Sequence, residues 1–231
     1  MGLKIDATPR MGFIAKADHC WVSLDYSGQE LMLGAAWSKD KKMTAAFTED
    51  EFLVNEAGVR YKNPYADLHT LTAVTCCSAP LFKGVPKEEW FSLSKKNKSR
   101  QKGKITNFGL IFLQTAESLS LLNHIKLEET TNWVKNHRLI YKGYHDWADE
   151  YSKIACARGF AVSPVSGLIR WVDEENSKGG GTESPARAAI NLAIQGEAAQ
   201  LIKEAGIRIK REFRGENIYL HNTTHDKICR G

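Results

Sequence analysis

Two acidic positions stand where a carboxylate could do chemistry. Asp25 follows the alternating run 21–24 and directly precedes a turn, and His225-Asp226 repeats that arrangement at the far end of the chain. Two such strand ends brought side by side would form a site of hard oxygen ligands suited to Mg²⁺. Two metals about 4 Å apart can activate a hydroxyl and stabilise a leaving phosphate oxygen. A lone strand-end Asp is more often a solvated turn residue. A second pattern is Arg100, Lys104, Phe108 and Phe112, each four residues from the next. On a helix every step of four turns by about 400°, so the four share one slowly drifting face. Two cations followed by two rings suit a ligand with phosphates at one end and a flat base at the other. Arg would grip oxygens in a fork and Lys would supply a point charge. The bland alternative is a half-exposed helix with a solvated basic end. A third row, Arg187, Asn191 and Gln195, has the same spacing and consists of hydrogen-bond donors. The duplex minor groove offers acceptors in every matched base pair, so such a row would grip duplex without reading its sequence. A plain polar outer face fits the same letters.

The elements that must position these residues follow from periodicity. Residues 21–24 alternate like a strand, and from Ser27 the pattern becomes helical. Asn63-Pro64 marks a turn before a short helix, and PKEEW at 86–90 reads as a helix start with Pro first and acids in the first turn. Residues 97–122 form a long helical stretch with an expected break near 113–115. A further helix is expected at 127–157, two short strands around a Ser-Gly turn at 160–173, and a flexible polar loop at 177–184. One helix is expected at 185–206, with Pro185 in its first turn and Gly206 at its end. The C-terminal stretch NIYLHNTTHDKICRG reads as strand, tight turn, strand.

Composition narrows the classes. With 231 residues and 42% hydrophobic content, the chain can bury a core as one large domain or two intimate subdomains. It contains no apolar run of about 18 residues and no N-terminal apolar signal region, so no membrane partner is expected. Five cysteines, an odd number without a CxxC pair, argue against a disulfide framework or a zinc site and fit a reducing cytoplasm. The net charge is +5, and six of the ten residues from Lys95 to Lys104 are Lys or Arg. That cluster suits a polyanion, a solvated loop or a localisation signal.

The motifs in their order carry a resemblance to family A (DNA polymerase I-like) DNA polymerases. DYSGQEL at 25–31 resembles motif A, commonly DYSQIEL. RQKGKITNFGLIF at 100–112 resembles motif B, with its R, three residues, K, three residues, F-G pattern. HD at 225–226 resembles motif C, commonly HDE. RAAINLAIQGEAAQ at 187–200 resembles the R-x-x-x-N-x-x-x-Q-G-x-A-A-D stretch, and DLHTLTA at 67–73 resembles D-I-H-T-x-T-A. The resemblance runs from about Arg10 to the last residue.

The resemblance implies an α+β fold, with an antiparallel palm sheet and a helical fingers subdomain. Residues 1–66 would be the first part of the palm, 67–158 the fingers and 159–231 the second part of the palm. It implies template-directed DNA synthesis with two Mg²⁺ ions, primer–template DNA and dNTPs. Asp25 and Asp226 match the metal-binding aspartates, and the Tyr26 carbonyl would be a further ligand. Glu30 matches the glutamate that crowds the 2′ side of the incoming sugar. Arg100 and Lys104 match the residues on the triphosphate. Phe108 matches the aromatic against sugar and base, and its lack of a hydroxyl implies rejection of dideoxynucleotides. Phe112 stands beside it in the nucleotide site. Arg187, Asn191 and Gln195 match residues lining the primer–template, and His225 matches the histidine beside the primer end.

The sequence also departs from the family. Met32 stands where Arg is usual, Gly28-Gln29 where Gln-Ile is usual, Phe112-Leu113 where Tyr-Gly is usual, and Gln200 replaces an acid. Lys227 stands where motif C has Glu. Only 24 residues precede Asp25 and five follow Asp226. The expectation is therefore a fragment, half of a split polymerase whose partner polypeptide supplies the thumb and remaining palm, or a decayed viral or prophage copy. A bacterial or virus-infected cytoplasm is the expected location. A catalytically inactive nucleic-acid-binding remnant is the alternative. A single-subunit RNA polymerase is a third reading, which Glu30 opposes.

Overall fold

A computed structural model of the chain describes residues 17, 22–172, 184–216, 220–224 and 227–230, with Val22, Ser23, 220–224 and 227–230 described through the backbone alone. The expected loop 177–184, apart from Ser184, lies outside the described residues, as do His225 and Asp226.

Strand β1 (Val22–Asp25) leads into helix α1 (Gln29–Ser38) through a turn in which Gly28 takes φ 65°. Helix α2 (Lys41–Thr48) follows, N-capped by Asp40, whose carboxylate accepts from the amides of Lys42 and Met43. Strands β2 (Phe52–Val54) and β3 (Arg60–Lys62) form a hairpin absent from the sequence reading. Its turn is organised by Asn55 Oδ1, which accepts from Ala57 N and Val59 N, and by Gly58 at φ 77°. A 3₁₀ turn at Pro64–Ala66 precedes α3 (Leu68–Thr72), which widens into a π turn at Ala73–Cys77. Helix α4 (Lys87–Lys96) starts after Pro86, with Glu88 and Glu89 in its first turn and Lys95 and Lys96 in its last. That charge order complements the helix dipole. Helices α5 (Ser99–Ile111) and α6 (Ala116–Asn123) are separated by the expected break.

The helix expected at 127–157 is two helices, α7 (Leu127–Ile140) and α8 (Lys142–Arg158). Tertiary contacts break it. Tyr141 leaves helical geometry at φ −110°, ψ 48°, and its ring is fully buried with Oη 2.8 Å from Thr72 Oγ1. Two residues on, the Gly143 amide donates to Asp40 Oδ2 at 2.9 Å. Strands β4 (Phe160–Val162) and β5 (Ile169–Trp171) form a second hairpin. The helix expected at 185–206 is α9 (Pro185–Asn191), a π turn at Leu192–Gly196, and α10 (Glu197–Glu212). Gly206 does not end it, because the apolar spacing Ile202, Ala205, Ile209 continues past that glycine. Strands β6 (Leu220–Thr224) and β7 (Lys227–Arg230) close the chain.

The chain divides into two compact units, residues 1–29 with 198–231, and residues 30–197. In the first, an antiparallel sheet runs in the order β1-β7-β6, with Val22 opposite Arg230 and Asp25 opposite Lys227. Thr224 pairs with Lys227, and a bulge interrupts β6 between Leu220 and Asn222. The buried Gln29 amide donates to the Ala198 carbonyl at 3.3 Å. The second unit is mostly helical. Its main core includes Leu31, Met43, Leu71, Ile111, Tyr144 and Ile194, and a smaller cluster gathers Ala155, Ala161, Val172 and Leu192. The class is α+β, as the sequence implied. Among the described residues, no helix is long and apolar enough to cross a membrane.

Candidate functional site

In the first unit, Asp25 is the last residue of β1 and its side chain is exposed. It lines a cavity of about 230 Å³ with Leu24, Tyr26, Ile202, Ala205 and Ile209. The strand end therefore presents an exposed carboxylate on an open recess that Ile202, Ala205 and Ile209 of α10 also line. The register sets Asp25 opposite Lys227, the residue that follows Asp226 in the chain. Among the described residues no group of three or more His, Cys, Asp or Glu could hold a metal; Asp226 is not one of those residues.

In the second unit, α5 carries Arg100, Lys104 and Phe108 on one face. Lys104 Nζ lies 5.7 Å from the Phe108 ring centroid, so cation and ring adjoin as their spacing suggested. Arg100 is oriented from outside its helix. Its Nε and Nη2 both reach Asp67 Oδ2, at 3.0 and 2.9 Å, which leaves the Nη1 edge of the guanidinium for other acceptors. Asp67 is nearly buried and also caps α3, accepting from Thr70 N at 2.9 Å through Oδ1. One carboxylate thus starts α3 and steers Arg100.

His69 completes the cluster. Its ring lies 5.7 Å from that of Phe108, tilted by 42°. Burial pushes its pKa down to about 4, and the Arg100 and Lys104 charges push the same way against the pull of Asp67. A neutral His69 fits its surroundings, since Nδ1 is 3.1 Å from Asn107 Nδ2, an amide donor. Asn107 is buried on α5 and donates also to the Leu68 carbonyl, while its Oδ1 accepts from Thr72 Oγ1 at 2.7 Å and lies 3.2 Å from His137 Nε2. His137 Nδ1 is in turn 2.8 Å from His145 Nε2. A polar network therefore ties α5 to α3, α7 and α8. Helices α5 and α3 can approach because residue 103 has no side chain. A Cβ there would lie 2.1 Å from the His69 carbonyl oxygen and 2.9 Å from the Ala73 nitrogen.

Phe112 falls just past α5, at φ −107°. The helix ends in a Schellman motif, with Gln114 N bonded to Gly109 O and Leu113 N to Leu110 O. Leu113 occupies the left-handed position at φ 54°, where glycine is usual, and its side chain packs against the main core. The Phe112 carbonyl accepts from Arg187 Nε at 3.2 Å. Farther along, Gln195 Nε2 donates to Glu30 Oε1 at 3.4 Å. The structure thus joins Phe112 with Arg187, and Glu30 with Gln195. The even donor row expected of Arg187, Asn191 and Gln195 is altered. Arg187 and Asn191 share α9, but Gln195 lies in the π turn, where a wider turn leaves four residues short of a full revolution. The Trp37 indole pins that turn by donating to Ala193 O at 3.0 Å.

Asp67, His69, Gly103 and Asn107 were not among the residues singled out as site candidates. The signal for Asp67 and His69 was present in DLHTLTA at 67–73, an Asp positioned to cap and a His two residues later. Nothing local showed that either would meet α5.

The sequence matches the family-wide profile described as DNA polymerase family A over residues 2–230. The chain is similar to DNA polymerase I of Rhizobium leguminosarum, 28% identical over 201 residues, which cover 87% of this chain and 17% of that protein. It is 27% identical over 220 residues to a thermostable DNA polymerase I of Thermus thermophilus, covering 95% of the chain and 23% of the relative. The DNA polymerase of Mycobacterium phage D29 is 25% identical over 223 residues, covering 96% of the chain and 30% of the relative. The chain therefore spans less than a third of the length of each of these relatives. Among solved structures, it resembles the POL domain of Pol1 from M. smegmatis, in complex with DNA primer-template and dNTP. The TM-score is 0.73 at 24% identity, over 99% of this chain and 36% of that one, a likeness of fold.

Proposed function

The chain belongs to DNA polymerase family A, and from that premise we propose that it takes part in template-directed addition of deoxynucleotides to a primer 3′-hydroxyl. The observation that carries this reading is the cluster on α5. Two cations and a ring share one face, with Arg100 steered by Asp67 and Phe108 backed by His69.

In the proposed reaction the primer 3′-oxygen bonds to the α-phosphorus as the bond to pyrophosphate breaks. Arg100 and Lys104 bind the triphosphate and spread its charge, and the fork left open at Nη1 grips oxygens. Phe108 packs on the sugar and base, and neutral His69 behind it adds no competing charge. Glu30, whose carboxylate is placed by Gln195, crowds the 2′ position and favours deoxyribose. Arg187 and Asn191 face the primer–template duplex, and His225 attends the primer end. The exposed Asp25 carboxylate beside an open recess is the hard oxygen donor that Mg²⁺ takes. Asp25, the Tyr26 carbonyl and Asp226 would hold two such ions, which when bound supply charge neutralisation and activation of the hydroxyl. The protein's share is positioning.

A second reading, a nucleic-acid-binding protein without catalysis, is favoured by Lys227. Its place opposite Asp25 in the sheet puts a cationic residue type in register with the proposed metal ligand. Single-nucleotide extension of a labelled primer–template separates the two. Mg²⁺-dependent extension that disappears in Asp25→Ala supports the polymerase. Retained duplex binding with no extension by the unsubstituted chain supports the second reading.

A further inference from the structure

The β2–β3 hairpin and the second half of α4 present a run of alternating cations and rings outside the cluster on α5. The register pairs Phe52 with Lys62 and Val54 with Arg60, so Phe52, Arg60 and Lys62 lie on one face of the hairpin. Phe52 is 40% exposed, and the Arg60 guanidinium carbon lies 4.1 Å from its ring centroid. Lys62 Nζ lies 5.2 Å from the Phe52 ring and 5.9 Å from that of Phe91 on α4, which bridges the hairpin to the helix. Lys95, one turn beyond Phe91, sits 4.8 Å from the Phe91 ring. The order is Arg60, Phe52, Lys62, Phe91, Lys95. Lys62 also pairs with Glu51, an exposed carboxylate that an incoming anion can displace.

We propose that this ladder is a docking surface for single-stranded nucleic acid. Rings offer a face on which any base can stack, and cations between them meet the phosphates that separate successive bases. Arg60, Lys62 and Lys95 supply the positive charge a phosphate backbone requires, with Glu51 paired to Lys62 and Glu49 and Asp50 exposed on the segment that enters β2. A duplex, with its bases already stacked inside, would use the charges but not the rings. The inference does not rest on the polymerase reading, because it uses neither Asp25 nor the residues on α5.

The test is fluorescence anisotropy of a labelled oligothymidylate of about 12 nucleotides, without Mg²⁺ or nucleotide, over a salt series. The full chain is compared with Phe52→Leu, Phe52→Tyr and the double variant Lys62→Gln/Lys95→Gln, each checked for folding by thermal melting. Phe52→Leu is expected to weaken binding roughly tenfold and Phe52→Tyr to restore it. The double variant is expected to reduce the salt slope by about 1.4, two phosphate contacts at single-strand strength. Unchanged affinity in Phe52→Leu and an unchanged slope in the double variant overturn the proposal. So does equal competition by a duplex of the same length, which would make this a general anionic surface.

Discussion

Asp67 does two jobs with two oxygens, and a single substitution separates them. Asparagine still caps a helix through its side-chain oxygen, so Asp67→Asn is expected to leave α3 intact. It removes the charge that steers Arg100 and half of a charge-assisted contact, a difference on the order of 1.5–3 kcal/mol. The expected outcome is dNTP affinity lowered about tenfold or more with an unchanged melting temperature, read by nucleotide titration beside thermal unfolding. Equal affinity would detach Asp67 from the nucleotide site. Residues of this kind were hard to find in the sequence. Arg100, Lys104 and Phe108 stand out because a four-residue spacing is local and geometry makes it one helix face. Asp67 meets Arg100 across 33 positions, a contact with no periodic trace.

At the scale of elements, α5 depends on a glycine. The His69 carbonyl oxygen fills the place where a residue 103 side chain would start, and backbone cannot move aside as a flexible side chain can. Gly103→Ala is expected to push α5 and α3 apart. The expected loss is about 1–3 kcal/mol, the range for overpacking, seen as a lowered melting temperature with weakened nucleotide binding. An unchanged melt would show that the two helices are not held at this distance. The element pattern was legible wherever caps and charge order mark the ends, as at Pro86 with Glu88 and Glu89 for α4. It failed where a distant partner decides. Tyr141 breaks a periodic stretch to bury its ring beside Thr72, and Trp37 grips the π turn that shifts Gln195 off the expected row. The β2–β3 hairpin escaped notice because its strands are three residues long, too short for alternation to register.

Across the molecule, three buried or half-buried histidines make stability depend on pH. Burial lowers His69 and His145 to about 4 and holds His137 well below its usual value, with the neighbouring His145 adding to the effect. In the unfolded chain each would titrate near 6.5. Between those values the unfolded state binds more protons, so stability rises with pH. It is fully present above about 6.5 and is lost as pH falls toward 4. His137 and His145, whose rings meet at 2.8 Å, lose this stability together as protons bind. Melting temperature measured from about pH 7.5 to 4.5 is expected to fall steeply below 6.5. A flat profile would mean these rings are solvated. The α+β class was legible at this scale because the motifs order the elements. The network through Asn107, His137 and His145 was not, since its members come from separate helices and only packing unites them.

The most direct measurement offers each of the four dNTPs singly to primer–templates that differ only in the templating base, with Mg²⁺. Under the proposed function the added nucleotide follows the template, and Asp25→Ala abolishes addition while duplex binding persists. Addition that ignores the templating base, or addition undiminished in Asp25→Ala, would contradict it.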